Sequence, residues 1–294
     1  MLGIETATTK GARVKLLDAN GATIPALGLG TWQLRGPQCR EMVREAVAHG
    51  YRHVDTAVMY ENEREVGAGL AQSGVSRDEV FLTTKVWPDD AGDGDLQRTL
   101  AGSLERLGVE HVDLVLIHWP SKTIAFDETA RALDDVVAKG MARHVGVSNF
   151  TTAQVEEAVR LSPRPLVCNQ VEHHPYLDQT PVRETCARHG LCVIGYCPLF
   201  RAGDLFGEPV IREPAERTGK SAAQVVLRWH MQQEHCGAIP KTATPARMRE
   251  NIDIFDFELT PDEVAAIDRL GARHERLCDY AFSPDWDAPA ARVA

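Results

Sequence analysis

Residues 51–120 contain three segments that decide the fold: HVDTAVMY at 53–60, FLTTKVW at 81–87 and VDLVLIHWP at 112–120. Each contains apolar or β-branched residues, as buried strands do, that lead to a titratable residue: Asp55, Lys85 or His118. Helical patterns separate the segments, which predicts three consecutive parallel strands. The carboxyl ends of parallel strands share one edge of the sheet, where active sites lie in parallel α/β folds. Asp55, Tyr60, Lys85 and His118 are therefore predicted to meet at that edge.

The alternation of strand, loop, helix and glycine continues along the chain. Eight strand–helix units in about 225 residues predict a (β/α)8 barrel, and an open doubly wound sheet is the alternative. The predicted strands are 27–31, 144–148, 167–171, 191–196 and 237–241, with others ending at Asp55, Lys85 and His118. Capping boxes predict helices that begin at Thr151 and Thr260. A longer loop through Gly207 precedes a helix predicted from Ser221 to about Gln232.

No linker or shift in composition divides the chain, so we expect a single domain over residues 1–294. Residues 14–25 are predicted to form a β-hairpin, because Asn20-Gly21 suits the positive φ angles of a tight turn. A C-terminal helix and tail are expected over about 260–294, and the last twenty or so residues show no periodicity.

Charge and composition exclude several classes of protein. The formal net charge is −10 and the pI is about 5.6, which argues against general binding to nucleic acid or anionic membranes. No signal-peptide pattern and no apolar run of transmembrane length occur, so a cytoplasmic location is expected. The seven cysteines are odd in number and include no Cys-x-x-Cys, which favours reduced thiols over a disulfide framework or a zinc ribbon.

The four residues at the predicted strand ends suit the reduction of a carbonyl group. A lysine near a tyrosine hydroxyl stabilises the phenolate, and we expect Lys85 to lower the pKa of Tyr60 from about 10 toward neutrality. Asp55 would keep that lysine charged, and His118 can donate to a carbonyl oxygen and orient it. The alternative is structural: Asp55 and Lys85 would be a buried ion pair, and His118 a core residue.

A second set of residues predicts an anion site. Thr244 is expected to cap, and Pro245 to open, a helix whose free N–H groups favour a phosphate ester. Lys241 precedes that helix, and Arg247 and Asn251 lie four apart on one face of it; the alternative is a solvated basic surface. Neither Gly28-Leu-Gly30 nor Gly67-Ala-Gly69 fits a dinucleotide fingerprint.

Adjacent histidines at 173–174 are the candidates for metal binding. Neighbouring residues on a strand point to opposite faces, and no carboxylate or cysteine spacing supports a metal site there. We therefore expect no metal, although an unrelated metal-dependent barrel remains an alternative.

Seven motifs in order resemble those of the aldo-keto reductase family, from about Val14 to Trp286. They are Gly28-Leu-Gly-Thr-Trp32, His53-Val-Asp55-Thr-Ala…Tyr60, Lys85-Val-Trp87, Ile117-His118-Trp-Pro120, Gly146-Val-Ser-Asn-Phe150, Asn169-Gln170-Val-Glu and Ile239-Pro-Lys241…Arg247…Glu250-Asn251. The resemblance implies a (β/α)8 barrel with its C-terminal tail over the active-site face. It also implies NADPH as the hydride donor, with NADH weaker, and reduction of aldehydes and ketones to alcohols.

The resemblance also implies a role for each matched residue. Tyr60 resembles the general acid, and Lys85 and Asp55 resemble the pair that adjusts the pKa of that acid. His118 resembles the residue that orients the carbonyl. The residues that hold the carboxamide of the nicotinamide are matched by Ser148, Asn149 and Gln170. Tyr196 resembles the residue that stacks on the nicotinamide ring. The residues that bind the 2′-phosphate are matched by Lys241, Thr242, Arg247 and Asn251. Gly30, Thr31, Trp32, Asp55, Cys197, Leu199, Thr244 and Glu250 complete the implied cofactor site. The implied substrate pocket consists of Trp32, Met59, Trp87, His118, Trp119 and Asn149.

Departures from the family pattern narrow the expected function. Cys197 stands where many members have serine, which implies a weaker cofactor contact there. The loop after strand seven and the tail after Gly271 are shorter than in the long-tailed animal enzymes, and the chain resembles the bacterial branch that includes 2,5-diketo-D-gluconate reductases. We therefore expect small aldehydes, α-dicarbonyls or keto-sugars as substrates. No interface stripe stands out in the sequence, so a monomer is expected. The alternative is a nicotinamide-binding regulatory subunit with little turnover.

Overall fold

Eight parallel strands form the centre of the computed structural model, which describes residues 6–9 and 12–288. The strands of this sheet are β4 (Leu29–Gly30), β5 (His53–Asp55), β6 (Phe81–Val86), β7 (Val112–Ile117), β8 (Ala142–Ser148), β9 (Leu166–Glu172), β10 (Cys192–Tyr196) and β11 (Cys236–Ala238). They follow one another in chain order. Parallel bridges from Leu27 to Ala238 and from Gly30 to Lys241 join the first strand to the last. The predicted (β/α)8 barrel is confirmed.

The strands are buried on both faces, which explains their sequence pattern. All six residues of β6 and of β7 are buried, as expected where a parallel sheet is covered outside by helices and filled inside by side chains. Such strands read as continuous apolar runs, and polar residues within them mark positions with a specific partner.

Ten α-helices surround the barrel in the described part of the chain. They are α1 (Gly36–Ala48), α2 (Glu63–Ala71), α3 (Asp95–Leu107), α4 (Phe126–Ala138), α5 (Thr152–Leu161), α6 (Thr180–Arg188), α7 (Pro209–Thr218), α8 (Ala222–Gln232), α9 (Pro245–Ile252) and α10 (Pro261–Asp268). The predicted capping boxes at Thr151 and Thr260 are both present. In α3, Leu96, Leu100 and Leu107 are buried at helical spacing, so an apolar stripe holds that helix against the barrel.

The N-terminal hairpin is confirmed and belongs to a larger sheet. Strands β2 (Ala12–Ala19) and β3 (Ala22–Pro25) pair antiparallel, and Asn20 and Gly21 have φ angles of 45° and 90°. Positive φ at both central residues matches the twist of a two-residue hairpin. A further strand, β1 (Thr6–Thr9), pairs with β2 and was not predicted.

The segment after β10 differs from the sequence interpretation. The predicted loop is followed by α7, which was not predicted because Pro214 lies inside it, where proline normally breaks a helix. Its Ile211 packs with Val225, Trp229 and Ile267 in a second apolar core. Residues 274–288 contain no helix or strand, and residues 289–294 of the predicted tail lie outside the described residues. No helix in the described chain is long and apolar enough to span a membrane.

Candidate active site

Three neighbouring strands and one 3-10 turn bring the predicted catalytic residues to one rim of the barrel. Asp55 is the last residue of β5, and Tyr60 ends the 3-10 turn that follows it. Lys85 is the penultimate residue of β6, and His118 directly follows β7. The parallel register holds these strand ends side by side. The strand-end prediction therefore places four chemically active side chains together.

Lys85 is the centre of this group and is completely buried. Its Nζ lies 2.5 Å from Asp55 Oδ1, 2.9 Å from the Thr56 carbonyl oxygen and 3.2 Å from the Tyr60 hydroxyl. An ammonium group has three donors, and here each one has an acceptor. This arrangement offsets the large desolvation cost of a buried charge.

Asp55, Tyr60, Lys85 and His118 form a tetrad in which burial and neighbouring charges shift the pKa values of Lys85 and Tyr60. Burial lowers the pKa of Lys85, but the Asp55 carboxylate and the Tyr60 oxygen outweigh it, so the net shift is upward. For Tyr60, burial raises the pKa and outweighs Lys85, which lowers it. The expectation that Lys85 brings the pKa of Tyr60 toward neutrality is therefore wrong for this structure. Tyr60 is a protonated phenol beside a charged lysine.

His118 is held neutral at the same rim. Burial lowers its pKa well below the usual range, and the positive charge of Lys85 lowers it further. Its Nδ1 is buried and has no hydrogen-bond partner among the described residues. The ring lies edge-on to Tyr60, with centroids 5.7 Å apart. A neutral imidazole still carries one N–H, so His118 can donate a hydrogen bond but is not an imidazolium acid.

A network of amide and hydroxyl groups continues from the tetrad to the next strands. Gln170 Nε2 donates to Asp55 Oδ2 at 2.7 Å, and Ser148 Oγ donates to the Gln170 carbonyl at 2.7 Å. Asn149 Nδ2 donates to the His118 carbonyl at 3.0 Å, and the Tyr196 hydroxyl donates to Asn149 Oδ1 at 2.7 Å. The structure thus brings together the four residues expected around a nicotinamide.

Two exposed cations lie at the other end of the predicted cofactor site. Lys241 follows β11, Arg247 lies in α9, and neither forms an ion pair in the described part of the chain. Arg249, two residues further on, is 3.6 Å from Glu45. Thr244 occupies the N-cap position of α9, but its side chain makes no capping hydrogen bond. The uncapped helix start and the two cations could hold a phosphate group.

The remaining predicted cofactor residues surround these two ends. Gly30 allows close packing, because a Cβ there would lie 2.7 Å from the Ile239 carbonyl oxygen. Thr31 Oγ1 donates to the Asp55 carbonyl, and Glu250 accepts from Ser221. Thr242 and Asn251 are buried, whereas Cys197 and Leu199 are half-buried. The neighbouring thiol of Cys278 and burial both raise the pKa of Cys197.

Aromatic side chains line the space above Tyr60 and His118. Trp32 lies 4.9 Å from Tyr60, and Trp87 lies 5.4 Å from His118, between ring centroids. Trp32 and Met59 are 39% and 40% exposed, which is high for such apolar side chains and typical of a ligand-binding surface.

The C-terminal tail adds aromatic residues that sequence reasoning missed. Phe282 lies 5.4 Å from Trp87 and 5.2 Å from Trp119, and Tyr280 stacks on Phe282. Trp286 contacts Trp119. The only signal in the sequence was the concentration of three aromatic residues within 280–286.

His173 and His174 lie in separate environments. His174 Nε2 is 2.8 Å from Glu172 Oε1. His173 Nδ1 is 3.5 Å from Cys236 Sγ, and its ring packs against His230. His173, His230 and Cys236 form one buried group of possible metal ligands within the described residues. The adjacent pair therefore does not form a shared site.

The part of the chain that forms the barrel and its rim matches a known family. The sequence profile of the Aldo/keto reductase family matches residues 26–272. This chain belongs to the aldo/keto reductase family. It is therefore an oxidoreductase of the class that reduces carbonyl compounds.

Three similar proteins show how far the likeness extends. The glyoxal reductase of Bacillus subtilis (strain 168) is 41% identical over 88% of this chain and 92% of its own length. A crystal structure provisionally described as a 2,5-diketo-D-gluconic acid reductase B is 44% identical, with a TM-score of 0.90 over 94% of this chain and 98% of the other. The Bombyx mori aldo-keto reductase, solved in complex with NADP, is 33% identical, with a TM-score of 0.85 over 93% of this chain and 97% of the other.

Proposed function

We propose that this aldo-keto reductase uses NADPH to reduce small aldehydes, α-dicarbonyls or keto-sugars, with Tyr60 as the general acid. The observation that carries the proposal is the contact chain from Asp55 to Lys85 to the Tyr60 hydroxyl, at 2.5 Å and 3.2 Å, beside the neutral His118. A protonated phenol next to a fixed positive charge is a proton donor whose product anion is stabilised.

The residues present fit NADPH at both ends. Lys241 and Arg247 are exposed and outside any ion pair of the described chain, and two cations at a helix start favour a 2′-phosphate through charge-assisted hydrogen bonds. Ser148, Asn149 and Gln170 would hold the carboxamide, with Tyr196 against the ring. When bound, NADPH supplies a hydride to the carbonyl carbon.

Residues of this chain would transfer the proton and orient the substrate carbonyl. Tyr60 would give its proton to the carbonyl oxygen, and Lys85 would stabilise the phenolate that remains. His118 would donate its N–H to the same oxygen and fix its direction. Trp32, Trp87 and Trp119 would exclude water, which strengthens each of these interactions.

The substrate class follows from the pocket and from the relatives. Half-exposed aromatic side chains around two polar donors suit a small molecule with one reactive carbonyl. The names of the relatives refer to glyoxal and to 2,5-diketo-D-gluconic acid, which are compounds with adjacent or multiple carbonyl groups. We propose that compounds of this type are the best substrates.

The test is loss of NADPH absorbance with purified protein and a panel of carbonyl compounds. The panel contains 2,5-diketo-D-gluconate, methylglyoxal, an aromatic aldehyde and an aldose, each with NADPH or NADH and with a metal chelator present. Turnover with NADPH supports the proposal. Tight NADPH binding without turnover across the panel would favour a regulatory subunit, and turnover that needs a metal and survives Tyr60→Phe would favour a metal-dependent barrel.

We also propose that residues 1–294 act as one barrel unit and as a monomer. The barrel closes on itself through the bridges between its first and last strands. Light scattering on a size-exclusion column measures the mass directly, and the monomer corresponds to 32.4 kDa.

A further inference from the structure

Glu172 holds the start of the C-terminal tail. It is the last residue of β9 and is completely buried. Its Oε1 accepts the backbone N–H of Leu277 at 2.6 Å, and its Oε2 accepts the backbone N–H of Cys278 at 2.8 Å. Two successive backbone donors on the two oxygens of one carboxyl group fix the orientation as well as the position of the chain.

The surroundings of Glu172 make this attachment rigid. His174 Nε2 lies 2.8 Å from Oε1, and the Glu172 carbonyl oxygen accepts from Gln179 Nε2 at 2.7 Å. Strand pairing places Glu172 opposite Tyr196 in β10. The carboxyl group is therefore part of the barrel wall beside the proposed nicotinamide site, whereas the segment that it holds has no helix or strand of its own.

The attached segment leads directly into the aromatic wall of the pocket. Tyr280 and Phe282 follow Cys278 by two and four residues, and Phe282 lies edge-on to Trp87 and Trp119. The tail is fixed again at Asp287, whose carboxyl oxygens accept from Thr152 N and Oγ1 at 2.8 Å and 2.6 Å. The segment that carries Phe282 is thus attached to the barrel at both ends, through the carboxyl group of Glu172 at one end and that of Asp287 at the other.

We infer that Glu172 is a positioning residue for the substrate pocket, which acts by holding Leu277 and Cys278 so that Phe282 stays against Trp87 and Trp119. The inference deepens the proposed function and rests on it for its kinetic consequences. Among the described residues, the Glu172 side chain hydrogen-bonds to His174, Leu277 and Cys278, none of which belongs to the tetrad or lines the pocket. The tail is therefore the route by which Glu172 reaches the substrate pocket.

The first experiment measures the attachment without any activity assay. Amide hydrogen exchange over 274–282 is compared in the native protein and in Glu172→Gln, which keeps the size of the side chain but presents an NH₂ group to one backbone donor. Exchange at Leu277 and Cys278 should become at least about tenfold faster, since protection reports local opening. Unchanged protection would overturn the inference, whatever the protein catalyses.

A matched variant controls for the loss of a buried carboxylate. Asp113 is also buried, accepts a backbone N–H from Leu82 at 2.9 Å and pairs with Arg77 and Arg143. Asp113→Asn should leave exchange over 274–282 unchanged. If both variants loosen the tail equally, Glu172 is only a general stabiliser of the fold and the inference fails.

The second experiment separates binding from chemistry. In Glu172→Gln, the KM for an aromatic aldehyde should rise about tenfold, the scale of one lost charge-assisted hydrogen bond. The kcat and the NADPH dissociation constant should change by less than about twofold, because Glu172 hydrogen-bonds to His174, Leu277 and Cys278 and not to the tetrad or a proposed nicotinamide-binding side chain. A fall in kcat with an unchanged KM would overturn the positioning role.

A double-mutant cycle with Phe282→Ala tests the route of the effect. If Glu172 acts through Phe282, Glu172→Gln should change the KM little once Phe282 is absent, because coupled residues are not additive. Additive effects would overturn the inference. If Glu172→Gln does not fold, Glu172→Asp, which keeps the charge but shortens the side chain, takes its place in the same cycle. Failure of the native protein to turn over any carbonyl would refute the proposed function and leave the exchange result standing.

Discussion

Lys85 and Lys241 carry the same side chain and lie in opposite surroundings. Lys85 is completely buried and has three acceptors within 3.2 Å. Lys241 is exposed and forms no ion pair with any other residue in the described chain. Both stand at carboxyl ends of strands of the same barrel. A buried lysine can stabilise negative charge on a fixed neighbour such as Tyr60, whereas an exposed lysine, as proposed for Lys241, can bind a phosphate group from solvent.

The surroundings decide which of these uses is possible. Burying an ammonium group costs several kcal/mol, and only fixed partners with good geometry can offset that cost. The Asp55–Lys85 pair meets this condition because both residues lie on adjacent, hydrogen-bonded strands. A solvated lysine keeps its charge without help and is free to move onto an incoming phosphate. The four predictions that follow test this contrast, in order of decreasing effect.

Lys85→Met should have the largest effect, because it removes one member of a buried pair. We expect the free energy of unfolding to fall by about 3–5 kcal/mol and reduction to be lost. Lys241→Met, the matched control, should change stability by less than about 0.5 kcal/mol, as is usual for an exposed site. Urea denaturation followed by circular dichroism measures both, and equal losses of stability would contradict the contrast.

Tyr60→Phe should affect the chemical step alone. Removal of a general acid lowers kcat by about 10²–10⁴-fold, whereas the NADPH dissociation constant should stay within about twofold, since Tyr60 is not proposed to bind the cofactor. Steady-state kinetics and fluorescence titration with NADPH measure the two quantities. A large loss of NADPH affinity with little change in kcat would remove Tyr60 from its role as the acid.

The residues that meet at the rim could be predicted from the sequence, because each is identified by the pattern of a few neighbouring residues. Apolar runs that end in Asp55 and Lys85 identify strand ends, and the parallel repeat brings those ends together wherever the strands begin. The prediction failed on the pKa of Tyr60, because the effect of burial depends on the packed structure. A sequence shows that Lys85 is available to Tyr60 but not how much water surrounds the phenol.

The tail could not be predicted because nothing in its sequence is periodic. Contacts such as Phe282 with Trp87, or Leu277 N with Glu172, join residues 105–195 positions apart in a chain with no regular structure at 274–288. Secondary-structure signals describe neighbours in sequence and carry no information on such pairs. The helix α7 was missed because Pro214 lies inside it, where proline normally breaks a helix. Packing against α8 and α10 stabilises the helix despite that proline.

Arg247→Ala should weaken NADPH binding by about 10–100-fold, the scale of one or two charge-assisted hydrogen bonds. NADH lacks the 2′-phosphate and should lose less than about twofold by the same reasoning. The control is Arg249→Ala, because Arg249 is engaged with Glu45 and should affect both cofactors little. Fluorescence titrations with NADPH and NADH give the ratio for each variant. An equal loss for the two cofactors would refute the 2′-phosphate role of Arg247.

The smallest expected effect is that of pH on kcat for reduction. The pKa of Tyr60 is raised above its usual value by burial, so the phenol stays in its active acid form through neutral pH. The pKa of His118 is lowered and that of Lys85 is raised, so neither group changes charge in this range. The kcat should therefore vary by less than about twofold between pH 6 and 9, and fall only at more alkaline pH as Tyr60 ionises. A decline that begins near pH 7 would contradict this expectation, because it would show that Lys85 lowers the pKa of Tyr60 by more than burial raises it.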